Sequence, residues 1–424
     1  MTYAVLTLGC RVNQADSLEL ETALVSQGAR PTTPETADVV VVNTCAVTAG
    51  AEQGARQAIR RIHRVNPGAR VVVTGCYATR QPAELARIEG VSAVVGNSDK
   101  AVLDQTVLAQ QNATTAERFG IGEGPCGAAV GPGIAGRTAW TLRAQTGCDE
   151  SCSYCIIPTT RGRARSRTAA DLLAEVERVA GWGFKEVALT GVHLGSWGRD
   201  LDGGVSLIGL LGALSASRAA VRFRISSLEP MDCSDAIVDL VAANPRFAPH
   251  FHLPLQHASE RMLRAMRRPY DLATYVRLVD RIRCLLPHAA IGTDLIAGFP
   301  GETDADADDL AEYLASSPVT HVHVFPYSDR PGTEASDLGP KVHGAVVRAR
   351  TERLRLIGRQ LAERFRQTAV GQVRDGLTLE DGTLVVTDNY LKVRIPPGRS
   401  RNEWVKVRIV DATNPLGGEP VSLA

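Results

Sequence analysis

The sequence predicts an α/β protein in three parts: an N-terminal open parallel α/β sheet, a central partial (βα)6 barrel and a small C-terminal β-barrel. Three observations predict it. Val-rich runs near the N-terminus each end in a cysteine and are each followed by a helical pattern. Six further strand-like runs alternate with helical ones between Thr138 and about residue 366. Beyond Gln367 the helical period gives way to short alternating runs separated by Gly, Asp and Pro turns.

In residues 1–100, Tyr3–Leu8 runs into Gly9-Cys10 and precedes a helical pattern over Asp16–Gln27 that Gly28 stops. Asp38–Val42 runs into Asn43-Thr44-Cys45, followed by a polar helix to about Val65. Arg70–Val73 runs into Thr74-Gly75-Cys76, followed by a helix to about Glu89. Near-continuous Val runs mark strands buried on both faces of a parallel sheet. Such sheets bind ligands outside the C-terminal ends of their strands. Cys10, Cys45 and Cys76 are therefore expected to meet, although 34 and 30 residues separate them. One such cysteine alone reads as a small buried hydrophobe; three at equivalent positions of three units read as a cluster site.

Residues 101–137 read as a linker. A weak helical pattern gives way to Gly and Pro from Gly120 to Gly136, and Cys126 within it is an incidental thiol without partner spacing.

Between 138 and 366 the strand-like runs are Thr138–Gln145, Glu186–Thr190, Val221–Ser226, His252–Leu255, Ile291–Ile296 and His321–Pro326. Helical patterns between them include Ala169–Ala180, Ser234–Ala242, Leu272–Leu285 and Asp304–Leu314. Just past the first strand come Cys148, Cys152 and Cys155, spaced C-x3-C-x2-C. Three thiolates on one tight loop can hold a soft metal centre. A structural zinc takes four closed ligands, whereas three cysteines leave one iron of a [4Fe–4S] cluster open.

The other strand ends carry Thr190 and Gly191, Ser226 and Glu229, Gln256, then Asp294, Ile296 and Gly298. Facing one edge, they suit a nucleoside with an amino-acid tail: glycine lets backbone approach the ligand, and polar side chains fix hydroxyl, amine and carboxylate. Taken singly, Gly298 and Gly301 make only a turn, and Glu302 caps the helix that follows. Arg161, Arg163, Arg165 and Arg167 alternate beside the thiol loop and suit bidentate contact with phosphate or carboxylate, the plain alternative being a basic surface loop. Cys233 and Cys284 fall in helical contexts as packing residues.

After a long Arg-rich helical stretch (Val342–Gln367), runs at Gly376–Leu379, Thr383–Thr387, Lys392–Arg394 and Trp404–Val410 read as a five-stranded OB-like barrel. From Lys392 to Arg408 there are six basic residues against Glu403 alone, with Tyr390 and Trp404 beside them. That mixture suits RNA backbone contact and base stacking, making Lys392, Arg394 and Trp404 candidate RNA contacts, although Trp404 would serve equally in a core. The formal net charge of +1 gives no global electrostatic case for nucleic acid, and only five of the 47 basic residues are lysine, a compositional bias. No leader pattern or 18-residue apolar run is present, so a soluble cytoplasmic chain with no membrane partner is expected. Nine cysteines in that compartment point to metal or redox chemistry.

Together these motifs resemble the radical SAM methylthiotransferase family over nearly the whole length. The matching stretches are Leu8 to Gln14, Asn43-Thr44-Cys45, Thr74 to Tyr77, Gly147 to Pro158 and Gly298 to Thr303. Residues 10–14 and 190–195 are most similar to the MtaB-type branch, which acts on N6-threonylcarbamoyladenosine beside the anticodon. One departure is Gln256-His257-Ala258, where the family would carry Gln-Ser-Gly.

The resemblance implies that Cys148, Cys152 and Cys155 hold a [4Fe–4S] cluster chelated by S-adenosylmethionine, with Tyr154 the usual aromatic before the third cysteine. It implies a second [4Fe–4S] cluster on Cys10, Cys45 and Cys76 that carries the sulfur to be inserted, and a C-terminal TRAM domain for RNA. Implied partners are the tRNA anticodon stem-loop and an electron donor such as a flavodoxin or ferredoxin. The rival readings are the isopentenyladenosine branch, the branch that modifies a ribosomal-protein aspartate, and a non-catalytic iron–sulfur or zinc RNA-binding protein, which would need no S-adenosylmethionine pocket.

Overall fold

The computed structural model describes residues 1–109 and 130–421; Cys126 and most of the Gly/Pro-dense stretch lie outside the described residues. The chain divides into two units. The first comprises Met1–Ala135, Gly147–Asp149 and Cys155–Arg163; the second comprises Gly136–Thr146, Glu150–Tyr154 and Ala164–Ala424.

In the first unit, five parallel strands lie in the order Arg30–Pro31, Thr2–Thr7, Val39–Thr44, Arg70–Gly75, Val91–Val95. The Val runs serve two cores at once. Val40, Val42, Val71 and Val73 pack with Ala55, Ile59 and Ile62 of the helix Ala49–Val65, whereas Val39, Val41 and Val72 pack with Leu20 and Leu24 of the helix Arg11–Ser26. That double burial is why the strands read as continuous rather than alternating.

Two expectations need correction here. The first helix begins at Arg11, not Asp16, because Asn13 in its first turn donates to Leu8 O (2.7 Å) and Thr44 O (3.0 Å), a polar use that breaks the apolar periodicity. The helix expected to run from Cys76 to Glu89 is two short ones, Cys76–Arg80 and Pro82–Ala86. Pro82 disfavours helical geometry at Gln81, whose φ is −135° and ψ 58°. The edge strand Val91–Val95 was not anticipated.

In the second unit, Trp140–Arg143, Glu186–Thr190 and Arg222–Ile225 form one parallel sheet, and His250–His252, Ala290–Ala297 and His321–Pro326 another. Parallel bridges Phe223–Phe247 and Ser227–His252 join them into one curled six-stranded array in chain order. Helices Ala169–Gly181, Asp235–Ala243, Leu272–Leu285 and Asp304–Ser316 follow the strands. The fourth strand ends at His252 instead of running from His252 to Leu255. Pro254 can give no ladder hydrogen bond, and Leu255 N turns to the Thr293 hydroxyl at 3.0 Å.

The C-terminal barrel is closed, in the order Val373–Leu379, Leu384–Thr387, Lys392–Arg394, Leu416–Val421, Trp404–Ile409. Val385, Val393, Val407 and Ile409 fill it. The strand Leu416–Val421, with two glycines and a proline, has no strand propensity to read. Its Gly418 is needed, since a Cβ there would sit 2.3 Å from Val393 Cγ1. Among the described residues, no helix is long and apolar enough to cross a membrane.

Candidate metal and cofactor sites

In the first unit each of three strands hands over a cysteine at its C-terminal end. Cys10 is the N-cap of Arg11–Ser26, Cys45 directly follows Thr44, and Cys76 opens its helix. Gly9 and Gly75 are both in the left-handed region (φ 98°). A Cβ on Gly9 would lie 2.9 Å from Cys45 Sγ, and one on Gly75 2.3 Å from Thr44 O. These glycines let the cysteine-bearing corners close on one another. The three sulfurs lie in each other's field: burial pushes the Cys45 thiol up to about 11, the backbone N–H of Val47 counters it, and Cys10 and Cys76 raise it further. Val47 N approaches Cys45 Sγ at 3.5 Å and Asn97 Nδ2 approaches Cys76 Sγ at 3.6 Å.

Beside this site lies a buried charged group around Arg161, whose partners Asn13, Asp16 and Lys100 sequence reasoning did not identify. Arg161 Nη2 donates to Asn13 Oδ1 (2.6 Å) and Asp16 Oδ2 (3.0 Å), and Lys100 Nζ meets the same Asp16 oxygen. Burial works against the Arg161 charge, but Asp16, Cys76 and Cys10 outweigh it and hold its pKa above the ordinary value. Asn97 Nδ2 also donates to Thr160 O at 2.8 Å. A signal was available: Asn13 and Asp16 stand three and six residues after Cys10, on one helical face. In the same unit Cys148 N donates to Gly162 O at 3.1 Å, and a Cβ on Gly147 would strike Arg163 O at 1.8 Å.

In the second unit, Arg268 gathers several candidate residues. Its guanidinium donates to Cys152 Sγ (3.1 Å) and Tyr154 OH (3.4 Å), pairs with Glu229, and donates through Nε to Tyr270 OH (3.0 Å). Burial alone would lower its pKa; Tyr154, Glu229, Tyr270 and Cys152 together hold it raised. Sequence reasoning missed Arg268 because it lies just past the short helix Glu260–Ala265 rather than at a strand end. Ser226 is buried and its Oγ has no hydrogen-bond partner among the described residues. Gln256 is held at φ 67°, its N donating to Asp294 O (2.9 Å) and its O accepting from Ile296 N (2.9 Å). Thr190 is buried at its strand end, and a Cβ on Gly191 would come 3.1 Å from Gln145 Oε1. Gly298 (φ 80°) leaves room for Val347, 2.5 Å from its notional Cβ. Asp294 accepts from His252 and His323.

Several sequence expectations need correction. Arg161 is buried under the thiols and committed to Asn13 and Asp16, so it is not an exposed RNA contact. Arg167 pairs with Glu175 at 2.7 Å and donates to Arg143 O, bracing its own unit. Arg163 and Arg165 remain exposed. Trp404 carries the Arg222 guanidinium 4.4 Å from its ring centre, so one face is covered. Lys392 and Arg394 are exposed. Glu302 does not cap Asp304–Ser316; it accepts from Gly298 N, Phe299 N and Arg350, while Thr303 and Asp306 form the capping box. Cys233 is buried as expected, but Cys284 is exposed.

A family model described as the uncharacterized protein family UPF0004 matches residues 2–96, and one described as the radical SAM superfamily matches residues 142–314. The threonylcarbamoyladenosine tRNA methylthiotransferase MtaB of Aquifex aeolicus is 35% identical over 420 residues, covering 96% of this chain and 100% of its own. The chain belongs to the radical SAM methylthiotransferase family. The corresponding MtaB of Bacillus subtilis is 32% identical, covering 98% of this chain and 95% of its own. A tRNA-2-methylthio-N(6)-dimethylallyladenosine synthase of Chloroflexus aurantiacus is 34% identical, covering 87% and 80%. Among solved structures, the radical S-adenosylmethionine methyltransferase TsrM of Kitasatospora setae shares the fold, with a TM-score of 0.55, 18% identity and coverage of 79% and 76%.

Radical SAM methylthiotransferases use [4Fe–4S] clusters and S-adenosylmethionine, and the residues present fit both. Two sets of three cysteines, with N–H donors aimed at Cys45, Cys76 and Cys152, are a soft donor set supported by hydrogen bonds to sulfur. The buried Ser226 hydroxyl, without a hydrogen-bond partner among the described residues, is of a chemistry that fits a cofactor hydroxyl or amine.

Proposed function

We propose that this chain methylthiolates C2 of N6-threonylcarbamoyladenosine beside the anticodon of tRNA, giving the 2-methylthio derivative. The observation that carries the reading is near-full-length similarity to threonylcarbamoyladenosine tRNA methylthiotransferases in a chain that presents three cysteines at three strand ends. When bound, the clusters and S-adenosylmethionine supply one-electron activation of a C–H bond and the sulfur to be inserted.

The chain's own residues do the rest. Cys148, Cys152 and Cys155 are assigned to the cluster that engages S-adenosylmethionine, and Cys10, Cys45 and Cys76 to the sulfur-bearing cluster. Arg268 neutralises charge at Cys152 and orients Glu229; Thr190, Gly191, Ser226, Gln256, Ile296 and Gly298 line the nucleoside pocket. Arg161 fixes Asn13 and lends positive charge to Cys10 and Cys76. Residues 1–100 form the auxiliary-cluster domain, 101–137 the linker, 138–366 the radical SAM barrel and 367–424 the TRAM domain, where Lys392 and Arg394 meet the anticodon stem-loop. A flavodoxin or ferredoxin supplies electrons.

The second reading, methylthiolation of dimethylallyladenosine, draws support from the Chloroflexus aurantiacus relative. Mass spectrometry of tRNA nucleosides from cells with and without this chain separates the two. Loss of 2-methylthio-N6-threonylcarbamoyladenosine on deletion, restored by the intact gene, is expected. An unchanged level overturns the proposal, and loss of the 2-methylthio-dimethylallyl nucleoside instead selects the second reading.

A further inference from the structure

Four of the nine histidines gather on the two outer strands of one three-stranded sheet of the second unit. His250 and His252 lie on one strand and His321 and His323 on the strand two places along, with Asp294 on the strand between. Register explains the gathering: His252 pairs with Gly292, and Asp294 pairs with His323. Gly292 makes the space, since a Cβ there would meet His321 Nε2 at 2.1 Å. Val322 packs against Gly358 of the helix Gly344–Ala369, so alternation turns His321 and His323 to the opposite face, which Asp294 shares.

We propose that His252, Asp294 and His323 form a binding site for a divalent first-row transition ion. His252 Nε2 lies 3.0 Å from Asp294 Oδ1, and His323 Nδ1 lies 3.2 Å from the same oxygen. One donor atom from each residue lies within 4.8 Å of the other two. Metal bonds of about 2.0–2.2 Å at tetrahedral or right angles put neighbouring ligand atoms roughly 3 Å apart. Both nitrogen–oxygen separations already match that spacing, so small rotations of the imidazoles complete the set.

The donors are of the right chemistry. Two imidazoles and one carboxylate select zinc, iron, nickel or similar ions over calcium and magnesium, which favour all-oxygen sites. The rings of His252 and His323 are 5.5 Å apart, and that of His321 lies 6.2 and 6.1 Å from them. His321 is held by its own contact, Nδ1 to the Thr320 hydroxyl at 3.0 Å, and stands behind the triad. The His323 side chain is 59% exposed against 14% for His252, so the ion would keep positions open to water or a ligand carboxylate or carbonyl. All three ligands sit on strands rather than loops, which preorganises the site. Nothing in this assignment depends on which nucleoside the enzyme modifies.

The test is calorimetric titration of the holoenzyme with zinc sulfate under anaerobic conditions, followed by gel filtration and zinc and iron analysis. The expected result is one additional zinc per chain with iron unchanged. His252→Ala, Asp294→Asn and His323→Gln each weaken zinc binding more than about 10-fold. His323→Gln changes a largely exposed side chain, so its fold is expected to stay intact by circular dichroism. A holoenzyme that takes up no saturable zinc overturns the proposal. So does zinc bound equally well by the three variants, or zinc that disappears in Cys10→Ala/Cys45→Ala/Cys76→Ala, because the ion would then belong to the thiols.

Discussion

Replacing Arg161 with alanine removes a buried guanidinium whose Nη2 serves both Asn13 and Asp16. Its side chain and that of Asp16 are each 3% exposed, so the pair sits in a medium where charges are poorly solvated. Breaking a buried pair from one side costs about 3–5 kcal/mol, because the other charge is left without a partner. Here Lys100 still reaches the same Asp16 oxygen, and its side chain is 15% exposed. The cost should therefore fall at the lower end, about 3 kcal/mol. For a unit of this size, each kcal/mol lowers the melting temperature by about 2–4 °C, so Arg161→Ala should melt roughly 6–12 °C lower. Arg161→Lys keeps the charge but loses the fork that serves Asn13 and Asp16 together, and should fall between. Differential scanning fluorimetry on anaerobic protein of matched iron content reads the shift. Adding Asp16→Ala closes a double-mutant cycle whose coupling should be about 1–3 kcal/mol. A shift under about 1 °C, or single effects that add within about 0.5 kcal/mol, would refute the reasoning.

Three further outcomes are expected. Burial pushes His257 down to about 4 from 6.5, so above pH 6.5 both folded and unfolded chains hold it neutral; as pH falls toward 4 the unfolded chain takes a proton that the folded one refuses. Stability is lost across that window, up to roughly 3 kcal/mol, and urea titrations of His257→Asn should show a flatter decline between pH 6.5 and 4 than the unaltered protein. Gly9→Ala drives a Cβ against Cys45 at a positive φ, so anaerobically reconstituted protein should lose about four of its iron atoms per chain while the circular dichroism spectrum is kept. Lys392→Glu with Arg394→Glu should weaken tRNA binding in filter assays and reduce the slope of log affinity against log salt by about 2; an unchanged slope would place the RNA elsewhere.

What was legible in the sequence was whatever repeats or buries itself without help from afar. The Val runs displayed their double burial as continuous apolar stretches, and the three cysteines declared themselves by standing at the same place in three successive units. The C-x3-C-x2-C loop is local and was readable as such. The residues that serve those thiols were not. Arg161 looks like one arginine in an alternating basic loop until the fold brings Asn13 and Asp16 beneath it, more than 140 positions away. Arg268 reaches Cys152 across 116 positions. Leu416–Val421 lacks strand propensity because barrel closure requires a glycine where a propensity scale expects a β-branched residue. Register likewise decides the histidine–aspartate triad, since Asp294 and His323 are neighbours only once their strands pair.

The central claim is that six cysteines hold two separate iron–sulfur clusters. Iron and acid-labile sulfide counted per chain after anaerobic reconstitution test it most directly. The account predicts about eight of each in the unaltered protein, and about four in Cys10→Ala/Cys45→Ala/Cys76→Ala and in Cys148→Ala/Cys152→Ala/Cys155→Ala alike. About four in the unaltered protein, with none lost when Cys10, Cys45 and Cys76 are removed, would contradict it.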